Sequence, residues 1–269
     1  MKASVIISVY KNTYHLGFVL DSLKKQTERD FEIIISEDGN DETMSQYIKD
    51  YSFDNPMQHL TQDDLGWRKN RALNRAVLAS KSDWLIFIDG DCVLHPSFVE
   101  MHLKYAQPNR ILAGKRVKLT ESITPFFLDQ GVHDLMLMSP MAMLRLLKKH
   151  HCAFAEEGPF ISSSSFWSFI PKMRKMKVLK GCNMSFSKQA ILAINGFDED
   201  YIRPALGEDV DLSWRFEGLG YSHFSLRNRA VQFHLYHKEN WTNQDENLKI
   251  YSKNKSNKVF ICKNGIKKG

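Results

Sequence analysis

The first third of the chain alternates between short apolar runs and longer stretches in which apolar residues recur every three or four positions. The apolar runs are rich in β-branched residues and predict buried strands over 4–10, 31–36 and 84–88. The spaced stretches predict helices over 14–27, 41–51 and 67–80, with room for a further strand before the last helix. This order predicts an α/β fold with a parallel sheet.

Polar residues stand where each predicted strand ends. The strand-end segments that carry them are Ser8-Val9-Tyr10 at the first strand, Glu37-Asp38 at the second, and Asp89 with Asp91 at the third. Ligands of open parallel sheets bind beyond the carboxyl ends of the strands. We therefore expect these residues to line one crevice.

The segment SDWLIFIDGDCVL, residues 82–94, ends a buried strand in two aspartates separated by one glycine. Side chains two positions apart in an extended segment point the same way, so Asp89 and Asp91 can face one ion. Carboxylate oxygens suit Mg²⁺ or Mn²⁺, and such a cation can bridge a diphosphate. The alternative is a strand-end turn in which the aspartates and the glycine act only as turn formers.

Two further groups carry candidate chemistry, each with a structural alternative. Glu208, Asp209 and Asp211 precede an apolar periodicity, where carboxylates stabilise a helix N-terminus and one of them can also act as a general base. His234 and His237, in FHLYH, can share a metal ion if the chain bends. In the alternative they are two half-buried histidines on a strand edge.

A basic group, Arg68, Lys69 and Arg71, opens the third predicted helix. Arg68 and Arg71 share a helical face and can reach phosphates or a base, although a run of this kind is more often a solvated face. The chain contains neither G-x-x-x-x-G-K-[ST] nor G-x-G-x-x-G, which excludes a P-loop and a Rossmann dinucleotide site.

Composition adds broad limits. The 269 residues, 43% of them hydrophobic, can form one large domain or two small ones. The net charge of +6 suits nucleic acid, an anionic membrane surface or a phosphorylated substrate. Four widely spaced cysteines predict reduced, cytoplasmic thiols. We find neither a signal-peptide pattern nor a run of about 18 apolar residues, so no membrane-spanning helix is expected.

After residue 113 the alternation loosens, and residues 126–180 combine apolar, aromatic and basic side chains. This mixture suits a segment that lies on an anionic membrane surface. The alternative is a mobile acceptor lid with its methionines in the core. Residues 242–269 are polar and lysine-rich, and we interpret them as a basic C-terminal tail.

Seven segments together resemble family 2 glycosyltransferases with the GT-A fold. In chain order they are SVIISVYKN, IIISEDGND, DWLIFIDGDCVLHPSFV, KGCNMSF, NGFDEDY, GEDVDLSWR and FHLYH, spread over residues 3–240. The second half resembles the galactosyltransferase-type C-terminal region of chondroitin-polymerase-like and β-1,4-galactosyltransferase enzymes. The resemblance implies one Rossmann-like catalytic domain with a mixed, mostly parallel central sheet flanked by helices. Residues 1–113 would be its nucleotide-sugar-binding half, and 114–241 its acceptor-binding and catalytic half.

The resemblance also implies a donor site for a nucleotide-sugar, most readily a UDP-sugar. Its residues would contact the uracil, the ribose, the phosphates or the donor sugar. They are Ser8, Val9, Tyr10, Asp38, Arg68, Lys69, Arg71, Asp89, Gly181 and Asn183.

A site for Mn²⁺ or Mg²⁺ is implied as well. Asp89 and Asp91 match the D-x-D pair, with Asp91 as the more direct ligand. In related enzymes a Met and a His three positions apart complete the metal site, and His234 and His237 resemble that pair.

Asp209, next to Glu208, matches the E-D motif of the family, and this implies a general base for an inverting transfer. Two departures from the family pattern stand out. E-D-G-N replaces D-D-G-S, and RPALGED lacks the tryptophan of G-W-G, which leaves the identity of the acceptor open.

The resemblance implies a glycan acceptor, lipid-linked in bacterial-type surface polysaccharide synthesis, and an enzyme that is cytoplasmic or peripheral at the inner face of the membrane.

Two other functions compete with this interpretation. A sugar-1-phosphate nucleotidyltransferase also uses carboxylate-bound metal, but SVYKNTYHLG is not the glycine-rich basic loop that it needs. A non-catalytic basic module that binds nucleic acid would explain the charge. It would not explain acidic groups at two element ends, so we expect no nucleic-acid partner.

Overall fold

The computed structural model describes residues 1–129, 134, 137–204, 206–207, 209–238 and 243–269. The strands in these residues are β1 (Ala3–Val9), β2 (Phe31–Glu37), β3 (Met57–Leu60), β4 (Trp84–Asp89), β5 (Cys92–Leu94), β6 (Arg110–Ala113), β7 (Val117–Lys118), β8 (Asn183–Ser187), β9 (Ser222–Ser225) and β10 (Gln232–His234). Among the described residues, seven strands form a central sheet in the order β3-β2-β1-β4-β8-β6-β9, and three short strands form a second sheet in the order β5-β10-β7.

Helices cover both faces of the central sheet. The helices are α1 (Thr13–Lys24), α2 (Glu42–Asp50), α3 (Lys69–Ala79), α4 (Phe98–Lys104), α5 (Thr124–Asp129), α6 (Pro140–Lys149), α7 (Phe169–Met173), α8 (Lys188–Ala193), α9 (Val210–Gly218) and α10 (Asp245–Ser256). Short 3₁₀ turns lie at Ala155–Glu157 and Phe166–Ser168.

The predicted α/β order is confirmed over the first third of the chain, and β3 occupies the place left for a further strand. Helix α1 ends at Lys24 rather than at residue 27, because Gln26 turns inward. Its buried amide donates to the carbonyls of Ser22 and His95 at 3.1 and 3.0 Å. A side chain used in this way holds the chain in a turn and ends the helix.

The central strands are apolar on both faces because each face is covered. Val5 and Ile7 of β1 pack with Leu16 of α1 on one side, and Ile6 packs with Leu73 of α3 on the other. All five are nearly inaccessible to solvent. Burial of each such side chain contributes about 1.5–3 kcal/mol to the free energy of folding. Because both faces of these strands are buried, their sequences are continuous apolar runs.

Strand β8 makes the sheet mixed, since it runs antiparallel between β4 and β6. Its first residue, Asn183, lies opposite Ile88, one position before the end of β4. The segment Lys180-Gly181-Cys182, which precedes β8, therefore lies beside Asp89, although about 90 residues separate them in the chain. This pairing joins the second half of the chain to the strand ends of the first.

Residues 243–269 fold back onto the domain rather than extending from it. After α10, the ring of Phe260 lies 5.1 Å from that of Trp214, and the Asn195 amide donates to the carbonyl of Cys262 at 2.8 Å. Cys262 is buried. In the described part of the chain, every helix is too short or too polar to cross a bilayer.

Candidate active site

The carboxyl ends of the parallel strands form one edge, as the sequence predicts. Ser8 of β1 lies opposite Asp89 of β4 on one side and Ser36 of β2 on the other. Gly90 donates its N–H to the Ser8 carbonyl at 2.8 Å. A Cβ atom at Gly90 would lie 2.8 Å from Val9 Cγ1 and 3.0 Å from the Ser8 oxygen, so the residue between the two aspartates has to be glycine.

A cavity of about 530 Å³ opens at this edge. Its size is in the range of small-molecule sites in proteins. The lining combines strand-end residues with the segment before α3 and one residue after β10. The lining residues are Ser8, Val9, Tyr10, Asn12, Ser36, Asp38, Gly66, Trp67, Lys69, Asp89, Gly90, Asp91 and His237.

Asp38 is fixed at one wall of this first cavity. Its carboxylate accepts from the Gln62 amide at 2.7 Å and from the backbone N–H of Arg68 at 2.8 Å. Burial raises the pKa of Asp38 against the opposing effect of these hydrogen bonds. Because the Arg68 N–H is held by Asp38, helix α3 begins at Lys69, two residues later than the periodicity predicts.

Asp91, His234 and His237 converge at the other wall. The Asp91 Oδ2 atom lies 3.4 Å from His234 Nε2 and 3.2 Å from His237 Nε2, and the two imidazole nitrogens are 3.2 Å apart. Antiparallel pairing of β10 with β5 places His234 opposite Cys92, next to Asp91. The backbone oxygen of Asp91 also accepts from Leu235 at 2.9 Å.

The chemistry of these three side chains fits a divalent cation. Burial would raise the pKa of Asp91, but hydrogen bonds and charge from the two histidines outweigh it and hold that pKa well below its usual value. His237 Nδ1 lies 3.1 Å from the Lys238 carbonyl, which can only accept, so Nδ1 carries a proton and Nε2 is the ring nitrogen that could bind a cation in place of a proton. Metal-binding histidines are commonly oriented in this way.

Asp89 lies outside this group of three. Its carboxylate pairs with the Lys69 ammonium at 2.9 Å and with the Arg116 guanidinium at 3.3 Å. The two aspartates of the D-x-D pair therefore face different partners. Burial raises the pKa of the neighbouring Cys92 thiol well above its usual value, so this group stays neutral beside Asp89.

A second cavity, of about 380 Å³, adjoins the first, and Asp89 lines both. Asp209 lies in it as the N-cap of α9, where it accepts from the Val210 N–H at 2.7 Å. Burial raises the pKa of Asp209 although the Lys180 ammonium, 3.7 Å away, opposes this. The lining residues are Asp89, Lys115, Arg116, Lys118, Phe154, Lys180, Gly181, Cys182 and Asp209.

Residues 4–165, more than half of the chain, match the protein family described as Glycosyl transferase family 2. The chain belongs to glycosyltransferase family 2. Of the three functions that the sequence left in competition, this membership selects the enzyme that transfers a sugar.

Relatives and solved structures agree with this assignment. A validoxylamine A glucosyltransferase from Streptomyces hygroscopicus subsp. jinggangensis (strain 5008) is 23% identical over 234 residues, which cover 81% of this glycosyltransferase and 51% of the relative. The chain thus spans about half the length of that curated relative.

Two solved structures share the fold. One is a mannosyltransferase from Pyrobaculum calidifontis in complex with GDP-Man and Mn²⁺, with a TM-score of 0.58 at 14% identity over 89% of this chain and 58% of that one. The other is TarS 1-349 from S. aureus in complex with UDP-GlcNAc, with a TM-score of 0.56 at 13% identity over 89% and 60% of the two chains. The predicted single-domain GT-A fold is confirmed.

Not every predicted site residue of this glycosyltransferase faces the two cavities. Arg68 contacts Asp38 through its backbone, and Arg71 is exposed and lines neither cavity. The Asn183 side chain is fully buried and is bonded to His102 and to the carbonyls of Lys115 and Ala230, so it faces the interior and not a donor sugar. Glu208 lies outside the described residues.

The E-D-G-N departure has a structural reason. The Glu37 carboxylate is buried, lies 2.7 Å from His59 Nε2, and accepts from the Asp41 N–H at 2.8 Å at the start of α2. The longer glutamate side chain therefore points away from the first cavity. Only Asp38 of this pair remains on the cavity wall.

Sequence reasoning missed several cavity residues. Gln62 orients Asp38, while Trp67 and Asn12 line the first cavity. Arg116 pairs with Asp89 from a segment without any motif. Lys180 does lie in the KGCNMSF segment, but its contact with Asp209 arises from tertiary packing and leaves no local signal in the sequence.

Asp211, the other aspartate described at the start of α9, has a structural role. Its carboxylate pairs with Arg215 at 2.9 Å, and both side chains are almost completely buried. Asp211→Ala should lower the free energy of unfolding by about 3–5 kcal/mol, because it leaves a buried guanidinium without its counter-charge. The double replacement Asp211→Leu/Arg215→Met should recover most of the loss. Urea denaturation measures both, and an unchanged midpoint for the single variant would contradict the prediction.

Proposed function

We propose that this glycosyltransferase moves a sugar from a UDP-sugar to a glycan acceptor with inversion at the anomeric carbon, and that it depends on a divalent metal. One observation carries the proposal: the two adjoining cavities share Asp89. A ligand group of Asp91, His234 and His237 lies on one side of it, and the buried Asp209 lies on the other. Donor, metal and base can thus meet at one point.

Asp91, His234 and His237 would hold the ion, since their ligand atoms all lie within 4.8 Å of one another. A carboxylate combined with two imidazoles favours Mn²⁺ over Mg²⁺, which prefers oxygen ligands. When bound, such an ion neutralises the charge of the leaving diphosphate. The mannosyltransferase complex with GDP-Man and Mn²⁺ supports this part of the proposal.

The first cavity would take the nucleotide. The rings of Tyr10 and Trp67 line it and offer apolar surface to a base, while Asp38, held by two donors, offers a fixed carboxylate to base or ribose. Lys69 would approach the phosphates from the start of α3. The TarS complex with UDP-GlcNAc supports a UDP-sugar as donor.

The second cavity would take the acceptor and the reacting carbon. Asp209 would remove the proton from an acceptor hydroxyl, which attacks the anomeric carbon from the side opposite the leaving diphosphate. The cations of Lys115, Arg116 and Lys180 would stabilise the negative charge that develops on the diphosphate as its bond to the anomeric carbon breaks. Fixed charges in a partly buried site act without reorganisation, so positioning would supply much of the rate.

The wider role rests on the sequence resemblance. We infer a lipid-linked glycan acceptor in bacterial-type surface polysaccharide synthesis, at the inner face of the membrane, and a galactosyltransferase-type second half. The lining of the two cavities supports a division of the domain into two halves at residue 113. Apart from His237 the first is lined from 1–113, and apart from Asp89 the second is lined from 114–241.

Incubation with UDP-sugars and Mn²⁺, without acceptor, should release UDP slowly as water replaces the acceptor. Addition of EDTA should stop the release, and excess Mn²⁺ should restore it. GDP-mannose serves as the matched donor control and should be hydrolysed more slowly. Equal UDP release with and without EDTA would exclude metal dependence, and no release from any UDP-sugar would count against the donor class.

A further inference from the structure

Four large apolar side chains project into solvent from the 3₁₀ turn at Phe166–Ser168 and from helix α7. We call them the aromatic tip: Phe166 is 84% exposed, Trp167 53%, Phe169 46% and Met173 74%. The rings contact one another, with centroids 5.3 Å apart for the first pair and 6.2 Å for the second. Single exposed apolar residues are common, but a contiguous group of this kind marks an interaction surface.

A basic groove of about 700 Å³ begins at the same helix. Two aromatic rings, Tyr105 and Phe224, stack 4.9 Å apart in its wall and hold guanidinium groups over their faces: Arg229 at 4.5 Å over Tyr105, and Arg110 at 4.8 Å over Phe224. Among the described residues, no carboxylate lines the groove. Its cationic side chains are Arg110, Lys172, Lys175, Lys177 and Arg229.

The segment that carries the aromatic tip and the lysines of the groove, residues 166–177, is anchored to the domain on its inner side. Arg174, between the exposed lysines, donates to the carbonyl of Glu156 at 2.8 Å and pairs with the buried Glu157 carboxylate at 3.0 Å. Pro171 and Met176 are buried. The outward side chains are therefore presented by a fixed backbone, which does not need to be ordered when a partner binds.

Part of the Met/Leu-rich stretch of 126–180 belongs to the core and not to a surface, although Leu137 and Met141 are exposed. Met143 and Leu147 of α6 pack in a core cluster with Phe127 and Phe233, while residues 130–133 and 135–136 lie outside the described residues. The contiguous apolar and basic side chains of the predicted segment are those of residues 166–177, and Arg110 and Arg229 of the groove lie beside them.

We propose that the aromatic tip and the basic groove form a docking surface for an anionic lipid bilayer. The four apolar side chains enter the interface between headgroups and acyl chains, where aromatic rings are favoured. The exposed lysines of the groove, together with the half-buried Arg110, contact lipid phosphates, while the buried Arg229 adds positive charge beneath them. Apolar side chains lie here beside cations, and no carboxylate among the residues that the structure describes lines the groove. This arrangement matches a bilayer, which has an apolar interior and, with anionic lipids, a negatively charged surface.

The proposed docking surface lies close to the second cavity, where the acceptor would bind. Lys177 of the groove and Lys180, beside Asp209, are three residues apart, at most about 11 Å of extended chain. A docked enzyme would therefore hold its second cavity close to the bilayer. An acceptor anchored in lipid would be delivered to the catalytic carboxylate without leaving the membrane.

The test is co-sedimentation of the full chain with phosphatidylcholine vesicles, with and without phosphatidylglycerol. We expect binding only to the anionic vesicles at low salt, and its loss as salt shortens the screening length from about 10 Å at 0.1 M to about 3 Å at 1 M. Replacing Lys172, Lys175 and Lys177 together by Gln should lower binding by about fivefold per lysine, on the order of 100-fold.

A matched triple variant distinguishes the effect of this surface on vesicle binding from the effect of the protein's net charge. Lys249, Lys253 and Lys255 are exposed on α10, and their replacement by Gln removes the same charge elsewhere. We expect this control to keep most of the binding. Equal losses for the two triple variants, or no sedimentation of the unmodified chain with anionic vesicles at low salt, would overturn the proposal.

A second pair of variants tests how much the aromatic tip contributes to vesicle binding. Phe166→Ser/Trp167→Ser should lose vesicle binding, whereas Leu192→Ser/Leu248→Ser, exposed at other sites, should keep it. A dimer in solution that the first pair splits, without vesicle binding, would assign the tip to a second copy of the chain and overturn the proposal. UDP release without acceptor should be unchanged in all these variants, so failure of docking is distinguishable from failure of the transferase proposal.

Discussion

Asp209→Asn is expected to lower the rate of sugar transfer by on the order of 10²–10⁴ while UDP-sugar affinity stays nearly unchanged. Asparagine keeps an oxygen that can accept from the Val210 N–H, so the N-cap of α9 and the stability of the fold should survive. What disappears is the basic carboxylate at the second cavity. Single-turnover transfer and calorimetric donor binding, measured on the same samples, separate the two effects.

The pH profile gives an independent check of the same role. Burial raises the pKa of Asp209, and a general base acts only when it is deprotonated. The transfer rate should therefore fall as the pH is lowered through this raised pKa, at a higher pH than an exposed aspartate would give. The Asp209→Asn variant should lose that acidic limb. A variant with near-normal transfer would assign the base to another group, with Glu208 as the first candidate.

The second large effect concerns the metal. Asp91→Asn should weaken Mn²⁺-dependent binding of UDP by about 100-fold or more, because it removes the only carboxylate among the three converging ligand groups. Binding of UDP without metal should change little, since the amide preserves the shape of the cavity. Calorimetry with UDP, with and without Mn²⁺, measures the difference. His237→Ala should show the same pattern, which would separate loss of a ligand from loss of charge.

A matched control for the metal prediction is Asp54→Asn, which removes an exposed carboxylate from the loop before β3, at the amino ends of the parallel strands. It should bind UDP and Mn²⁺ like the unmodified chain. The bound metal can also be followed directly by the electron paramagnetic resonance signal of Mn²⁺. Equal affinities for the unmodified chain and Asp91→Asn under both conditions would rule out this metal site.

Much of the fold could be predicted because the first third of the chain is locally regular. A buried parallel strand needs a run of apolar residues, and a helix covering it needs an apolar face, so both leave a periodicity in the sequence. The strand-end rule then places Ser8, Asp38 and Asp89 at one edge. The second half carries no comparable regularity. There β8 enters the sheet antiparallel, and β10 pairs with β5 across more than 130 residues.

The sequence by itself determined which residue types stand at the site, and the tertiary structure decided which of them face it. The local pattern D-G-D does not by itself distinguish its two aspartates, although the family resemblance favours Asp91 as the metal ligand. Only Asp91 meets the histidines, because β10 pairs beside it, while Lys69 and Arg116 neutralise Asp89. Such choices depend on contacts between distant segments. A buried carboxylate takes the nearest cation that the packing offers, and a local pattern carries no record of which one that is.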